Sequence, residues 1–225
     1  MVTDWPYSFP FPVNNNMDNN TPIINTPAAT DDTLQSVLVD IKKELRANMN
    51  GIASAHSRQT ADYRINWGIE LPRLAGIADE FRPQADRKLA QALWKEGARE
   101  CRILACMLMP ADAMDEDMCD IWAEDIRTDE LATMFSLYLM PRLPHASTTA
   151  FRWIADEHTI RQTCGYLTLC HLMRRHEMSD SAQEEFLDQA ASSLNNRYAI
   201  KALQIYASLG EDNARKVKKI LDCLG

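Results

Sequence analysis

From Asp31 to the C-terminus, apolar residues recur three and four positions apart in one segment after another. Each segment ends at a proline, a glycine or a capping side chain. That period is the one at which a helix of 3.6 residues per turn shows a single face to a core. No stretch combines strict alternation with β-branched enrichment, so the chain is expected to be all-α and to lack a sheet. Leu34, Val37, Leu38, Ile41 and Leu45 define the first helix, with Asp31 and Asp32 placed to cap it. A polar helix is expected at about 53–64, followed by a break at Asn66-Trp67-Gly68. The segment ELPRLAGIADEF carries its proline in the first turn, where the missing N–H costs nothing. Beyond Pro83, helices are expected at about 84–95, 98–109, 114–126, 128–140, 146–157, 159–177, 180–193, 196–209 and 211–223. Thr128 reads as an N-cap and Gly210 as a C′ residue. The 159–177 segment is apolar on most sides and is expected to be central.

Many short helices joined by loops of about two to five residues suit paired-helix stacking. The expected architecture is a HEAT-like helical-repeat superhelix, an armadillo-type solenoid, occupying 31–225 as one domain. Residues 1–30 differ in kind: they are rich in Pro and Asn and contain no Lys or Arg. Such a stretch buries too little apolar area to offset its ordering entropy and is expected to be a disordered tail. Trp5, Tyr7, Phe9 and Phe11 alternate within it and could dock on a groove.

Charge and cysteine usage exclude some classes. A net charge of -8 argues against a broad surface coating nucleic acid without regard to sequence, but leaves room for a local basic groove. Six cysteines fall mostly within apolar helical patterns, without a CxxC pair, and are expected to be reduced structural thiols. No segment is apolar enough to span a bilayer, and the first residues lack a basic-then-apolar leader. The expectation is a cytoplasmic monomer without membrane contact. There is no phosphate-cradling glycine loop, GxSxG or HExxH, and no histidine pair at ligand spacing, so neither a cofactor nor a metal is expected.

Two stretches carry a resemblance. NWGIELPRLAGIADEF pairs an aromatic-Gly-hydrophobic turn with a proline-bearing helix, and LAQALWKEGARECRILACMLM places Leu-Trp before a turn and a Glu-x-Arg helix start. The chain resembles the DNA alkylation repair enzyme family, the HEAT-repeat alkylpurine DNA glycosylases, most clearly over about 67–125 and more faintly on to the C-terminus. The resemblance implies a concave surface holding double-stranded, alkylated DNA and excision of N3- or N7-alkylated purines. It implies a carboxylate that stabilises the sugar cation, with tryptophans against the lesion. In the family's Trp-Asp-x-x-Asp pattern, Asp129 takes the catalytic position, and Asp125 stands where the tryptophan belongs. On a later helix Lys201 matches the family lysine, while Ile205 replaces a second tryptophan. Arg161 matches one member of a DNA-contacting basic pair, with Gln162 in place of the other. Trp122, Trp153, Arg161, Arg197, Lys201 and Asp125 are the candidate DNA contacts, and Asp129 is the candidate catalytic residue.

Each candidate has a structural alternative. An acid in the first turn of a helix, like Asp129, is favoured by the helix dipole alone. Trp122 and Trp153 lie on apolar faces and equally suit a core. Arg161 opposes the dipole at a helix start, which calls for a ligand or a carboxylate partner. Arg174, Arg175, Arg215, Lys216, Lys218 and Lys219 form a C-terminal strip that is either phosphate-facing or simply favoured near helix C-termini. Against the DNA reading stands a non-catalytic helical-repeat scaffold binding a protein or peptide, distinguished by a neutral or acidic groove.

Overall fold

The computed structural model describes residues 31–51, 63 and 65–222. The expected tail, most of the polar helix expected at about 53–64, and Cys223 lie outside the described residues. Among the described residues there are eleven α-helices and no strand. In chain order they are α1 (Asp31–Ala47), α2 (Leu71–Phe81), α3 (Arg87–Lys95), α4 (Arg99–Leu108), α5 (Glu116–Asp125) and α6 (Asp129–Tyr138). Then follow α7 (Ala146–Ile154), α8 (Thr159–Arg174), α9 (Asp180–Ala191), α10 (Arg197–Ser208) and α11 (Glu211–Asp222).

The even-numbered helices pack in succession: α2 on α4, α4 on α6, α6 on α8 and α8 on α10. Odd-numbered helices back them, with α3 against α4, α7 against α8, and α9 and α11 against α10. This two-layer stack is the HEAT-like plan expected from the helix spacing. Its apolar core runs without interruption from Leu38 to Val217. Side chains start five of the helices: Asp86, Asp115, Thr128, Ser179 and Asn196 each accept a backbone N–H of their first turn. The helix expected from about 84 begins at Arg87, because Asp86 is the cap and Pro83 sits in a short 3-10 turn.

α8 is central, as its apolar circumference requires. Gly165 permits its close approach to α7: a Cβ there would lie 2.7 Å from Ile154 Cγ2 and 2.8 Å from the Ala150 carbonyl. Gly210 differs from expectation. Its φ is not positive, and its carbonyl accepts from the Ala214 N–H at 3.0 Å, so it starts α11 instead of ending α10 in a left-handed cap. The left-handed caps occur elsewhere, at Gly97 (φ 68°) after α3 and at His176 (φ 56°) after α8. At the latter, Glu177 N–H reaches the Leu172 carbonyl at 2.9 Å and His176 N–H the Met173 carbonyl at 3.0 Å, a Schellman closure.

The Trp67-Gly68 turn has a clear cause. Glu100, fully buried, accepts from the backbone N–H groups of Trp67 (3.1 Å) and Ile69 (3.2 Å) and from Arg99 Nη1 (3.0 Å). Arg99 also donates to the Ile69 carbonyl (3.0 Å) and, through Nη2, to Glu130 (2.6 Å) on α6. Burial alone would lower the Arg99 pKa, but Glu130 and then Glu100 more than offset it, so the guanidinium is raised above its ordinary range and stays charged. The Tyr63 hydroxyl completes the network, 2.8 Å from Thr128 Oγ1 and donating to Glu130 at 3.3 Å. The motif that carries the resemblance is therefore a buried polar clamp joining α2, α4 and α6.

Candidate nucleic-acid interface

The structure gathers some of the candidate residues and separates others. The N-cap of Thr128, whose Oγ1 accepts from Leu131 N–H at 3.2 Å, sets Asp129 in the first turn of α6. Asp129 is exposed and pairs with Arg197, the first residue of α10, from 68 positions away. The Arg197 guanidinium lies 4.8 Å from the Tyr198 ring centroid and donates to the Tyr198 hydroxyl at 3.1 Å. Tyr198 is half-buried, and burial together with the nearby Asp129 charge raises its pKa.

One turn further along α10, Lys201 is partly buried. Burial lowers its pKa, and the neighbouring cations Arg174 and Arg197 lower it further. Asp129, Arg197 and Tyr198 are in direct contact, a charged surface with one aromatic ring in it, and Lys201 lies one turn on along α10. Tyr198 was missed by sequence reasoning. Its signal was an aromatic residue directly after a helix-start arginine, which pattern matching to a tryptophan motif does not detect.

Arg161 belongs to a separate arrangement. Its guanidinium donates to Glu124 at 2.6 Å and to Asp156 at 2.9 Å, and its side chain is 19% exposed. These two carboxylates answer the unfavourable dipole at the start of α8 and match its charge. Asp156 is in turn held below the usual carboxylate range by the Arg161 hydrogen bond and then the His158 N–H.

The tryptophans are structural. Trp122 is buried and stacks on Trp94 with centroids 4.1 Å apart at 11°. Phe135 continues the row, 6.3 Å from Trp94 and 6.1 Å from Trp153. Trp153 is fully buried, and its indole N–H donates to Asp120 at 2.6 Å. As candidate DNA contacts these two are corrected: their ring faces are closed against the core, and neither has surface to offer a ligand. Asp125 is exposed, but its carboxylate accepts from the Trp94 indole N–H at 3.1 Å. Its carbonyl accepts from Arg102 at 3.0 Å, and that guanidinium sits 5.2 Å from the Trp94 centroid. Asp125 thus finishes the layered stack of Arg102, Trp94 and Trp122. Ile205, at the second tryptophan position, is buried.

The five described cysteines are buried free thiols. Burial first, then nearby acids, pushes the Cys119 thiol up to about 12, and burial pushes Cys164 and Cys170 equally high, which makes them poor nucleophiles at neutral pH. Among the described residues no group of three or more His, Cys, Asp or Glu could hold a metal, and no helix is long and apolar enough to cross a membrane. Chemically, the α6–α8–α10 surface can hold anionic oxygen at Arg197 and Lys201. It can also present one carboxylate, Asp129, beside them.

Comparison with known proteins agrees with this architecture. A solved structure described as a new family of proteins related to the HEAT-like repeat DNA glycosylases with affinity for branched DNA structures superposes with a TM-score of 0.71. The match covers 81% of this chain and 82% of that one at 17% identity, which establishes the shared HEAT-like fold. No curated protein matches the chain. The family model of the DNA alkylation repair enzymes matches residues 41–201, a span that includes α2 to α9, the buried clamp and the whole charged surface. The chain belongs to the DNA alkylation repair enzyme family.

Proposed function

We propose that this protein binds double-stranded DNA as a monomer through the α6–α8–α10 surface, and that it holds bent or branched duplex without efficient base excision. The exposed Arg197–Asp129 pair, with Lys201 one turn on along α10, carries this reading, because it sets exchangeable cations on a chain of net charge -8. Phosphate oxygens would exchange for Asp129 at Arg197, and Tyr198 would lie against sugar or base. The affinity for branched DNA described for the structural neighbour is consistent with this. Excision has less support. The resemblance asks for two indoles flanking the carboxylate, and this chain has Asp125 and a buried Ile205 there, with Trp122 and Trp153 sealed in the core.

A second reading retains excision of N3- or N7-alkylated purines. It is favoured by one observation: Asp129 is exposed at the helix start where the family places its catalytic carboxylate. A cationic base is already a good leaving group, so a single carboxylate could stabilise the sugar cation.

The test measures anisotropy of labelled linear duplex and four-way junction at two salt concentrations, with N7-methylguanine release followed in the same samples. Binding is expected, with no release. The double variant Arg197→Ala, Lys201→Ala should weaken binding about tenfold or more and flatten the log K against log salt slope by about 2. Release that disappears in Asp129→Asn would establish the second reading. Absence of binding to any DNA would leave the helical-repeat scaffold, with a protein partner, as the function.

A further inference from the structure

α11 stands outside the family-matched span of 41–201 and carries four cations within five residues. Val217 is its one buried residue, and Ile220 packs beside the core. At 100° per residue, Arg215, Lys216, Lys218 and Lys219 fall on the opposite arc, and all four are exposed. Eight arginines elsewhere sit in ion pairs: Arg73, Arg82, Arg87, Arg99, Arg152, Arg161, Arg175 and Arg197. On α11 Arg215 pairs with Asp212, while Lys216, Lys218 and Lys219 have no ion pair among the described residues.

The helix dipole accounts for Lys219 in the last turn, but Lys216 lies mid-helix, beyond its reach. Placement adds a second argument. Only Leu209 and Gly210 separate α10 from α11, and the two twelve-residue helices pack together, so α11 turns back along α10. The C-terminal turns of α11 therefore return to the end of the hairpin where α10 carries Arg197 and Lys201.

We infer that the lysine face of α11 is a second phosphate-contacting element, which extends the DNA footprint past the surface at Arg197 and Lys201. This rests on the DNA-binding reading above. The occupant is the sugar–phosphate backbone, for which a row of exposed, unmatched lysines is the electrostatic complement. Lysines on a helix contact phosphates as point charges, so the contribution is one of charge and not of side-chain shape.

The test uses the full chain carrying Lys216→Gln, Lys218→Gln and Lys219→Gln together, with a companion in which all three become Arg. The glutamine variant should bind duplex about ten- to a hundredfold more weakly at low salt, with a slope shallower by about 2 to 3. The arginine variant should match the unaltered protein. Both should keep the same urea midpoint, since none of the three side chains is buried. If the glutamine variant binds like the unaltered protein while Arg197→Ala, Lys201→Ala does not, the inference about α11 is overturned and the α6–α8–α10 reading stands. If the reverse holds, α11 is the main contact and that reading falls. If the unaltered protein binds no DNA, both fall.

Discussion

Two arginine–carboxylate pairs leave the first turn of α6 in opposite directions. Glu130 faces inward to Arg99, with side chains 29% and 11% exposed, inside a network that also holds Glu100 and Tyr63. Asp129, one residue earlier, faces outward to Arg197, with side chains 51% and 70% exposed. The chemistry of the two pairs is the same, and the solvent around them is not. Breaking the inner pair strands a buried charge, whereas water compensates most of any loss in the outer one. The inner pair therefore holds the fold together, and the outer pair can open for a ligand.

Arg99→Met, which leaves Glu100 buried without its guanidinium, should be the most damaging change. It should cost about 3–5 kcal/mol of unfolding free energy. Arg197→Met should change stability by about 0.5 kcal/mol or less. Urea denaturation of both variants checks this, and equal losses would show that exposure does not separate the pairs.

A pH series sharpens the contrast between sealed and exposed ionisable groups. His171 on α8 is almost fully buried, and burial first, then Arg174 and Arg175, lowers its pKa from 6.5 to about 4. The folded protein thus keeps it neutral where the unfolded chain binds a proton. Stability is full above about pH 6.5 and falls as the pH drops towards about 4. His171→Leu should flatten the melting temperature across that window. Asp120, which the Arg152 and Trp153 hydrogen bonds hold below its usual range despite burial, adds a separate loss at lower pH, untouched by this variant.

The smallest expected effect is a gain. His176 occupies a left-handed backbone position at the end of α8 and is exposed. His176→Gly should stabilise by about 0.5–1 kcal/mol, because glycine has no Cβ to strain there. A lower urea midpoint in this variant would mean that the imidazole makes a contact worth more than the backbone strain.

Much of the fold was legible because its signals are local. The apolar spacing of Leu34 to Leu45, the cap at Thr128 and the proline at the start of α2 act within a turn or two of their own positions. The site was legible only in part. Asp129 and Arg197 do meet, but Arg161 is matched by carboxylates of its own, and Trp122 and Trp153 turn inward. Tyr198 escaped notice because its value comes from Asp129, far away in the chain. Gly210 was misread for a related reason: a glycine between two helices suits the end of one or the start of the next, and the hydrogen bond to Ala214 decides which.

Local signals alone make this chain a run of short amphipathic helices with a repair-family motif around Trp67 to Arg102. Helical period and capping depend on neighbours within about four residues, and any folded context preserves them. Tertiary structure alone decided that Glu100 buttresses a turn 31 to 33 positions away and that Arg197 reaches Asp129 across 68. It also decided which tryptophans seal the core. Those outcomes depend on how the even-numbered helices stack, and stacking sets which charges water still reaches.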